Sequence, residues 1–252
     1  MFAAFAALAA LFLACLPGAG RAYAAGPCAP LRFEESSYIV CTFDARRDDL
    51  QMFWKGADAR PYGAFAPLAA DLNSGGRELV FAMNAGIYEA DLSPVGLYVE
   101  NGKTLRKLNL RDGESNFYLK PNGVFIVGDQ NVGVMEAARF AASAANPRYA
   151  TQSGPMLVID GHIHPKILPT GTSAKTRNGV GARDATTAIF AISQEPVTFD
   201  AFARLFRDAL QCPNALYLDG SISSLFSTDL KRDDALWPMG PIVAVTAPSP
   251  PH

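Results

Sequence analysis

Histidine is almost missing from this sequence: His162, His164 and His252 are the only three. A Ser–His–acid triad needs a histidine, and only His252, in the C-terminal tail, follows the serine-rich stretch after Asp219. The G-x-S-x-G elbow is absent too, which excludes the classical hydrolase triad. His162 and His164 lie two apart, on one face of an expected strand with Asp160 near, the beginnings of a metal pair. No third ligand is spaced to match, so the pair reads as part of an exposed hairpin and no metal is assigned. No C-x-x-C or Cys/His zinc spacing occurs. With a formal net charge of −2 and no long basic run, the chain lacks the electrostatic footprint of a nucleic-acid binder. No interior apolar stretch approaches the roughly 20 residues that span a bilayer. Internal repeats and linkers are lacking as well, and 49% hydrophobic residues can fill the core of one domain.

What the sequence does have begins with an apolar N-terminus. Met1 to Leu16, MFAAFAALAALFLACL, is uninterrupted; Pro17, Gly18 and Gly20 follow, and Ala22-Tyr23-Ala24 fits a small-x-small cleavage site. Residues 1–24 read as a secretory signal peptide, with the mature chain, 25–252, periplasmic or secreted and free of any membrane span. The segment has no Lys or Arg in its first residues, and Cys15 after Phe12-Leu13-Ala14 keeps a lipoprotein site or an uncleaved anchor open. Export permits disulfides. A Cys28–Cys41 bridge would tie the mature N-terminus to the first strand, with Cys212 as a buried apolar filler.

Strands are expected at Tyr38–Phe43, Leu50–Trp54, Leu79–Met83, Val124–Val127, Ala185–Ser193 and Ala215–Leu218. Asn101-Gly102 and Asp160-Gly161 mark two hairpins, since both pairs suit primed two-residue turns. Helices are expected at Phe65–Leu72, Glu136–Ala145 and Phe199–Leu210; Pro169–Gly181 reads as a polar loop and the tail from Pro248 as frayed. Hairpins without βαβ alternation make an α+β domain, a mixed, mostly antiparallel sheet flanked by a few helices, with its core at about 38–245.

One stretch dominates the functional reading: ALYLDGSISSLF, residues 215–226. Asp219 ends a buried strand, where a charge is costly unless it is paired or used. Gly220, Ser221 and Ser223 then bring backbone and hydroxyls close to it. Similar polar groups recur at other strand ends: Asn84 and Gly86, Asn122, and Gln152-Ser153-Gly154. Each alone is ordinary turn chemistry; their repetition points to a polar ligand. The loop from Lys175 to Arg183 adds Arg177, Asn178 and Arg183, cations and glycines suited to an anion, without the ending of a Walker loop.

Taken in order, NAGIY at 84–88, PVGLYVENG at 94–102, KPNGVF at 120–125, TQSGPMLVIDG at 151–161, RNGVGAR at 177–183 and ALYLDGSISSLF resemble the phosphodiester glycosidase family. The resemblance, to an exported bacterial branch, covers roughly Tyr38 to Pro241. It implies hydrolysis of the bond between a sugar's anomeric carbon and a phosphodiester oxygen, on a phosphorylated sugar or glycan, without a cofactor. Asp219 would be the central carboxylate, as base, nucleophile or electrostatic stabiliser, with Arg177 and Arg183 holding phosphate. Asn84, Gly86, Asn122, Gln152, Ser153, Gly154, Asn178, Gly220, Ser221 and Ser223 would bind substrate. Glu89 and Asp184 are the candidates for a second carboxylate. Gly220-Ser221-Ile222-Ser223 departs from the glycine-rich run that one branch carries here, which puts the same sugar in doubt. A non-catalytic glycan-binding protein and a phosphodiesterase cutting the P–O bond are the alternatives.

Overall fold

The computed structural model describes residues 26–219, 222–234 and 237–249. The signal-peptide reading therefore falls outside the described residues. The first strands are β1 (Cys28–Phe33), β2 (Ser36–Asp44), β3 (Asp49–Phe53), β4 (Arg77–Asn84), β5 (Tyr98–Glu100) and β6 (Lys103–Arg106). Then come β7 (Gly123–Val127), β8 (Val132–Glu136), β9 (Tyr149–Ser153), β10 (Met156–Ile159), β11 (His162–Ile163) and β12 (Asn178–Ala182). The last are β13 (Thr187–Ser193), β14 (Asn214–Asp219), β15 (Leu225–Ser227), β16 (Arg232–Asp233) and β17 (Ile242–Pro248). The helices are α1 (Phe65–Ser74), α2 (Ala137–Ala142) and α3 (Phe199–Arg204), the last continued by a π-turn over Leu205–Ala209.

The α+β class holds, but the strands form three sheets rather than one, and their ladders are antiparallel. The first runs β1-β2-β13-β12-β14-β10-β11, the second β16-β15-β4-β17-β3, the third β6-β5-β9-β7-β8. Their inner faces share one core. Phe190 on β13 lies 5.0 Å from Phe81 on β4 and 5.7 Å from Phe125 on β7, ring centre to ring centre, so one aromatic side chain touches all three sheets. Phe43 on β2 packs on both Phe190 and Phe81. Each sheet covers its outer face with one helix: α3 packs on the first, α1 on the second and α2 on the third.

The hairpin signals work as expected. Asn101 (φ 50) and Gly102 (φ 74) turn β5 into β6, and Asp160 (φ 47) and Gly161 (φ 82) turn β10 into β11. Beyond Ile163 the second hairpin ends, and His164 is fully buried rather than exposed. The bridge Cys28–Cys41 is formed across the β1–β2 pair, and Cys212 is free and buried. Burial pushes the Cys212 thiol up to about 12.

Residues 178–182 correct the reading of 169–181 as a loop. They are β12, buried at every position and set between β13 and β14. Its glycines are there for packing. A Cβ on Gly181 would stand 2.6 Å from Cys212 Sγ and 2.9 Å from the Phe206 ring, and one on Gly179 would stand 2.8 Å from Leu216 O. Without side chains on that face, α3 and its π-turn lie flush on the sheet. The helix expected at Glu136–Ala145 is shorter, because Val132–Glu136 is strand. Gly181→Ala should therefore overpack this contact and lower the unfolding free energy by about 1–3 kcal/mol. Urea denaturation measures it; an unchanged midpoint would contradict the packing role.

Candidate active site

Three strand ends meet at one place. Asn178 opens β12 and pairs with Asp219, which closes β14; Asn84 closes β4 in the second sheet. The two asparagines are fully buried and bonded to one another: Asn178 Nδ2 donates to Asn84 Oδ1 (2.9 Å) and to the Asn84 carbonyl (3.1 Å). Each also holds one end of the stretch 219–224. Asn178 Oδ1 accepts from the Asp219 N–H (2.9 Å), and Asn84 Oδ1 accepts from the Ser224 N–H (2.9 Å). Ser223 Oγ adds a hydrogen bond to the Asp219 carbonyl at 3.0 Å and can reach the Thr176 carbonyl at 3.2 Å. Gly220 and Ser221 lie outside the described residues.

The third sheet fixes the neighbouring loop. Ser153 Oγ donates to the Leu218 carbonyl (2.8 Å) and accepts from the Ile87 N–H (3.3 Å). Thr151 Oγ1 accepts from the Gly86 N–H (3.2 Å). A Cβ at Gly86 would meet the Gln152 carbonyl at 2.4 Å, so only glycine lets the loop approach β9 this closely. That loop carries Tyr88 toward Asp219. Burial raises the Tyr88 phenol, and the Asp219 charge raises it further. Tyr217 is raised in the same way, by burial first and then by Asp219. Both tyrosines stay neutral at working pH. Neither was singled out in the sequence, where tyrosine in an apolar run carries no signal.

Arg177 lies 1% exposed, which is rare for a cation. Its Cζ stands 3.6 Å from the Phe199 ring centre and 5.5 Å from that of Tyr217. Nε donates to the Val197 carbonyl and Nη2 to the Ser173 carbonyl, each at 2.8 Å. Nη1 has no partner among the described residues, and burial lowers the guanidinium's pKa. Ser173 and Phe199 line a cavity of about 170 Å³ together with Lys166 and Asp200. Arg177 thus lies behind two residues of that cavity's lining, Ser173 and Phe199, and against Tyr217, two residues before Asp219 on β14.

The other expected residues separate. Arg183 follows the far end of β12, beyond Ala182, which pairs with Asn214 rather than Asp219. It is exposed, with Nε on the Leu210 carbonyl at 3.1 Å. The span of β12 keeps it away from Asp219, at about 3.3 Å per residue, so Arg177 and Arg183 do not form one anion site. Asp184, beside it, closes a turn, where the Thr186 N–H foremost holds its carboxyl below the usual range. Glu89 is exposed on the loop after Tyr88. Gln152 has its amide engaged by Leu97 N and by both backbone groups of Asn109. Asn122 holds the Phe117 carbonyl (2.9 Å), and Gly154 packs against both residues, one layer back from Asp219. His162 binds the Asp160 carbonyl at the surface, away from buried His164.

A family model described as phosphodiester glycosidase matches residues 77–246. An uncharacterized protein of Escherichia coli K12, YigE, is 38% identical over 204 residues, 81% of this chain and 78% of its own. Among solved structures, the catalytic domain of zebrafish N-acetylglucosamine-1-phosphodiester alpha-N-acetylglucosaminidase, auto-inhibited by its pro-peptide, superposes with a TM-score of 0.58. It is 15% identical, over 86% of this chain and 81% of that one. A hypothetical protein from Synechocystis follows, with a TM-score of 0.53 and 14% identity, over 87% of this chain and 61% of that one. At those identities the likeness is one of fold.

The amide clasp yields a stability prediction. Asn84→Ala strands the buried Ser224 N–H, at about 1–3 kcal/mol, and takes one of the two acceptors of Asn178 Nδ2, which keeps the carbonyl of residue 84. Chemical denaturation should show a loss of about 1–3 kcal/mol; a shift within error of zero would remove the clasp from the account.

Proposed function

The chain belongs to the phosphodiester glycosidase family, and from that premise we propose that it is an exported hydrolase cleaving the anomeric C–O bond of a sugar-1-phosphodiester. One arrangement carries the reading: Asp219 stands two residues along β14 from Tyr217, and the buried Arg177 guanidinium lies 5.5 Å from that tyrosine's ring centre. An anionic substrate spanning the two would place its phosphate by Arg177 Nη1 and its sugar by Asp219. The zebrafish relative is named for a substrate of this kind.

In this scheme water adds to the anomeric carbon while the bond from that carbon to the phosphodiester oxygen breaks. The bonding electrons leave with the phosphate, and the proton of the attacking water passes to the Asp219 carboxylate, then to solvent. A phosphate monoester leaves readily without a proton, so one carboxylate suffices where ordinary glycosides need two. The charge of Asp219 also favours the oxocarbenium-like centre. Neutral Tyr217 can donate a hydrogen bond to a sugar or phosphate oxygen, whereas the Tyr88 hydroxyl is held by the Pro238 carbonyl at 3.0 Å. Arg183 takes no part. Two features support export: the apolar N-terminus and the Cys28–Cys41 disulfide, a bond suited to an oxidising compartment. Among the described residues no helix is long and apolar enough to cross a membrane.

Hydrolysis of sugar-1-phosphodiesters in oxygen-labelled water tests the reaction. The label should enter the sugar; its appearance in the phosphate would establish P–O cleavage instead. Asp219→Asn should lower kcat by about 10²–10⁴-fold, the range of a lost general base, while substrate still binds. Binding without turnover by the wild type would make the protein a glycan-binding module.

A further inference from the structure

The nine residues from Lys103 to Arg111, KTLRKLNLR, hold four cations and no acid, in a chain of net charge −2. They come together at the outer edge of the third sheet. β6 is the last strand there and is exposed at all four positions; Lys107 and Arg111 are exposed as well. None of the four cations forms an ion pair among the described residues, whereas nearby Lys120 is paired with Asp112 at 2.7 Å. The backbone beneath is fastened: Asn109 N donates to Gln152 Oε1 (2.9 Å) and Asn109 Nδ2 to the Val95 carbonyl (3.1 Å). Val95 and residues 105–111 line an open groove of about 450 Å³, a volume usual for ligand sites.

This groove is joined to Asp219 by a short path. Arg106 Nε donates to the Pro94 carbonyl (3.1 Å), and Pro94 bridges Tyr88 across the loop. Tyr88 is one of the two tyrosines that the Asp219 charge raises. We propose that Lys103, Arg106, Lys107 and Arg111 form a docking strip for a polyanionic substrate, a glycan chain linked by repeated phosphodiesters, whose terminal sugar reaches Asp219. The inference rests on the glycosidase reading and extends it to the substrate's length and charge. A diester bearing one phosphate would engage Arg177 alone, while a chain would continue over the Pro94 rim onto β6. Edge strands also carry cations simply to prevent sheet-to-sheet pairing, and the experiment separates the two roles.

The variant Lys103→Gln/Lys107→Gln/Arg111→Gln alters exposed side chains and leaves Arg106 on its carbonyl. Inorganic polyphosphate serves as the probe and orthophosphate as the control, in titrations of the intact mature chain. Four contacts to a single-stranded polyanion give a log–log salt slope of about −2.8, so a fourfold rise in salt should weaken wild-type binding roughly 50-fold. The variant should bind polyphosphate at least about tenfold more weakly at low salt, with a flatter slope. Its kcat/KM on a poly(glycosyl phosphate) should fall at least about tenfold further than on a methyl sugar-1-phosphodiester. Equal polyphosphate affinities, or equal losses on both substrates, would reduce the strip to edge protection and overturn the proposal. So would capture by phosphatidylglycerol vesicles in preference to polyphosphate. If the wild type hydrolyses no sugar-1-phosphodiester, the reaction is lost while the polyphosphate titration still decides the strip.

Discussion

The side-chain amide pair between Asn84 and Asn178 is the contact on which the site depends. It joins the first sheet to the second at full burial, and the side-chain oxygen of each amide holds one end of the stretch that starts at Asp219. Buried amides weaken a fold unless their hydrogen bonds are made, and when made they fix one arrangement. Here that arrangement is the exit of β14. Asn84 Nδ2 is left without a partner among the described residues, which do not compensate its desolvation.

Antiparallel pairing explains which residues join the pair. β12 runs opposite to β14, so the start of one lies beside the end of the other. Asn178 and Asp219 meet for that reason, and Arg183 cannot reach them for the same reason. The third sheet contributes through β9, whose Thr151 and Ser153 hold the loop bearing Tyr88. With Phe190 touching aromatic rings of the other two sheets, relative movement of the sheets would disturb a close-packed core. The polar end is thereby held by a rigid apolar one, as a preorganised site requires.

Much of this was legible in the sequence because it rests on local chemistry. Asn101-Gly102 and Asp160-Gly161 announce their turns through the positive φ they adopt, and Asp219 stands out as a charge closing an apolar run. Long-range facts left weaker signs. Residues 178–182 contain two glycines and an asparagine, which read locally as a loop; only α3 lying on the sheet explains why glycine serves as a strand residue there. That misreading made Arg177 and Arg183 look like partners. In a loop, six residues can close on themselves, but in a strand they become a separation. Gln152 and Asn122 had the right residue types for ligand binding, yet their amides bind backbone groups far away in sequence or around a turn. The basic strip was hidden differently: its cations alternate with Thr, Leu and Asn, and only a solvent-facing edge strand gathers them.

Removing Arg183 from the site changes what the site can hold. A phosphodiester carries a single negative charge, and one buried guanidinium matches it. Cleavage of the anomeric C–O bond turns that diester into a monoester with about −1.5 to −2 charges at neutral pH. The new charge would arise near Asp219, where no second arginine offsets the repulsion at about 4 kcal/mol for unit charges 4 Å apart in surroundings of intermediate polarity. A site with two arginines would grip its phosphate product; in the proposed scheme one with Arg177 alone would favour the diester over the monoester and let the product leave. In the proposed scheme a single cation would therefore suit turnover, with any further affinity for an anionic chain placed outside the pocket, where it would not hold the product.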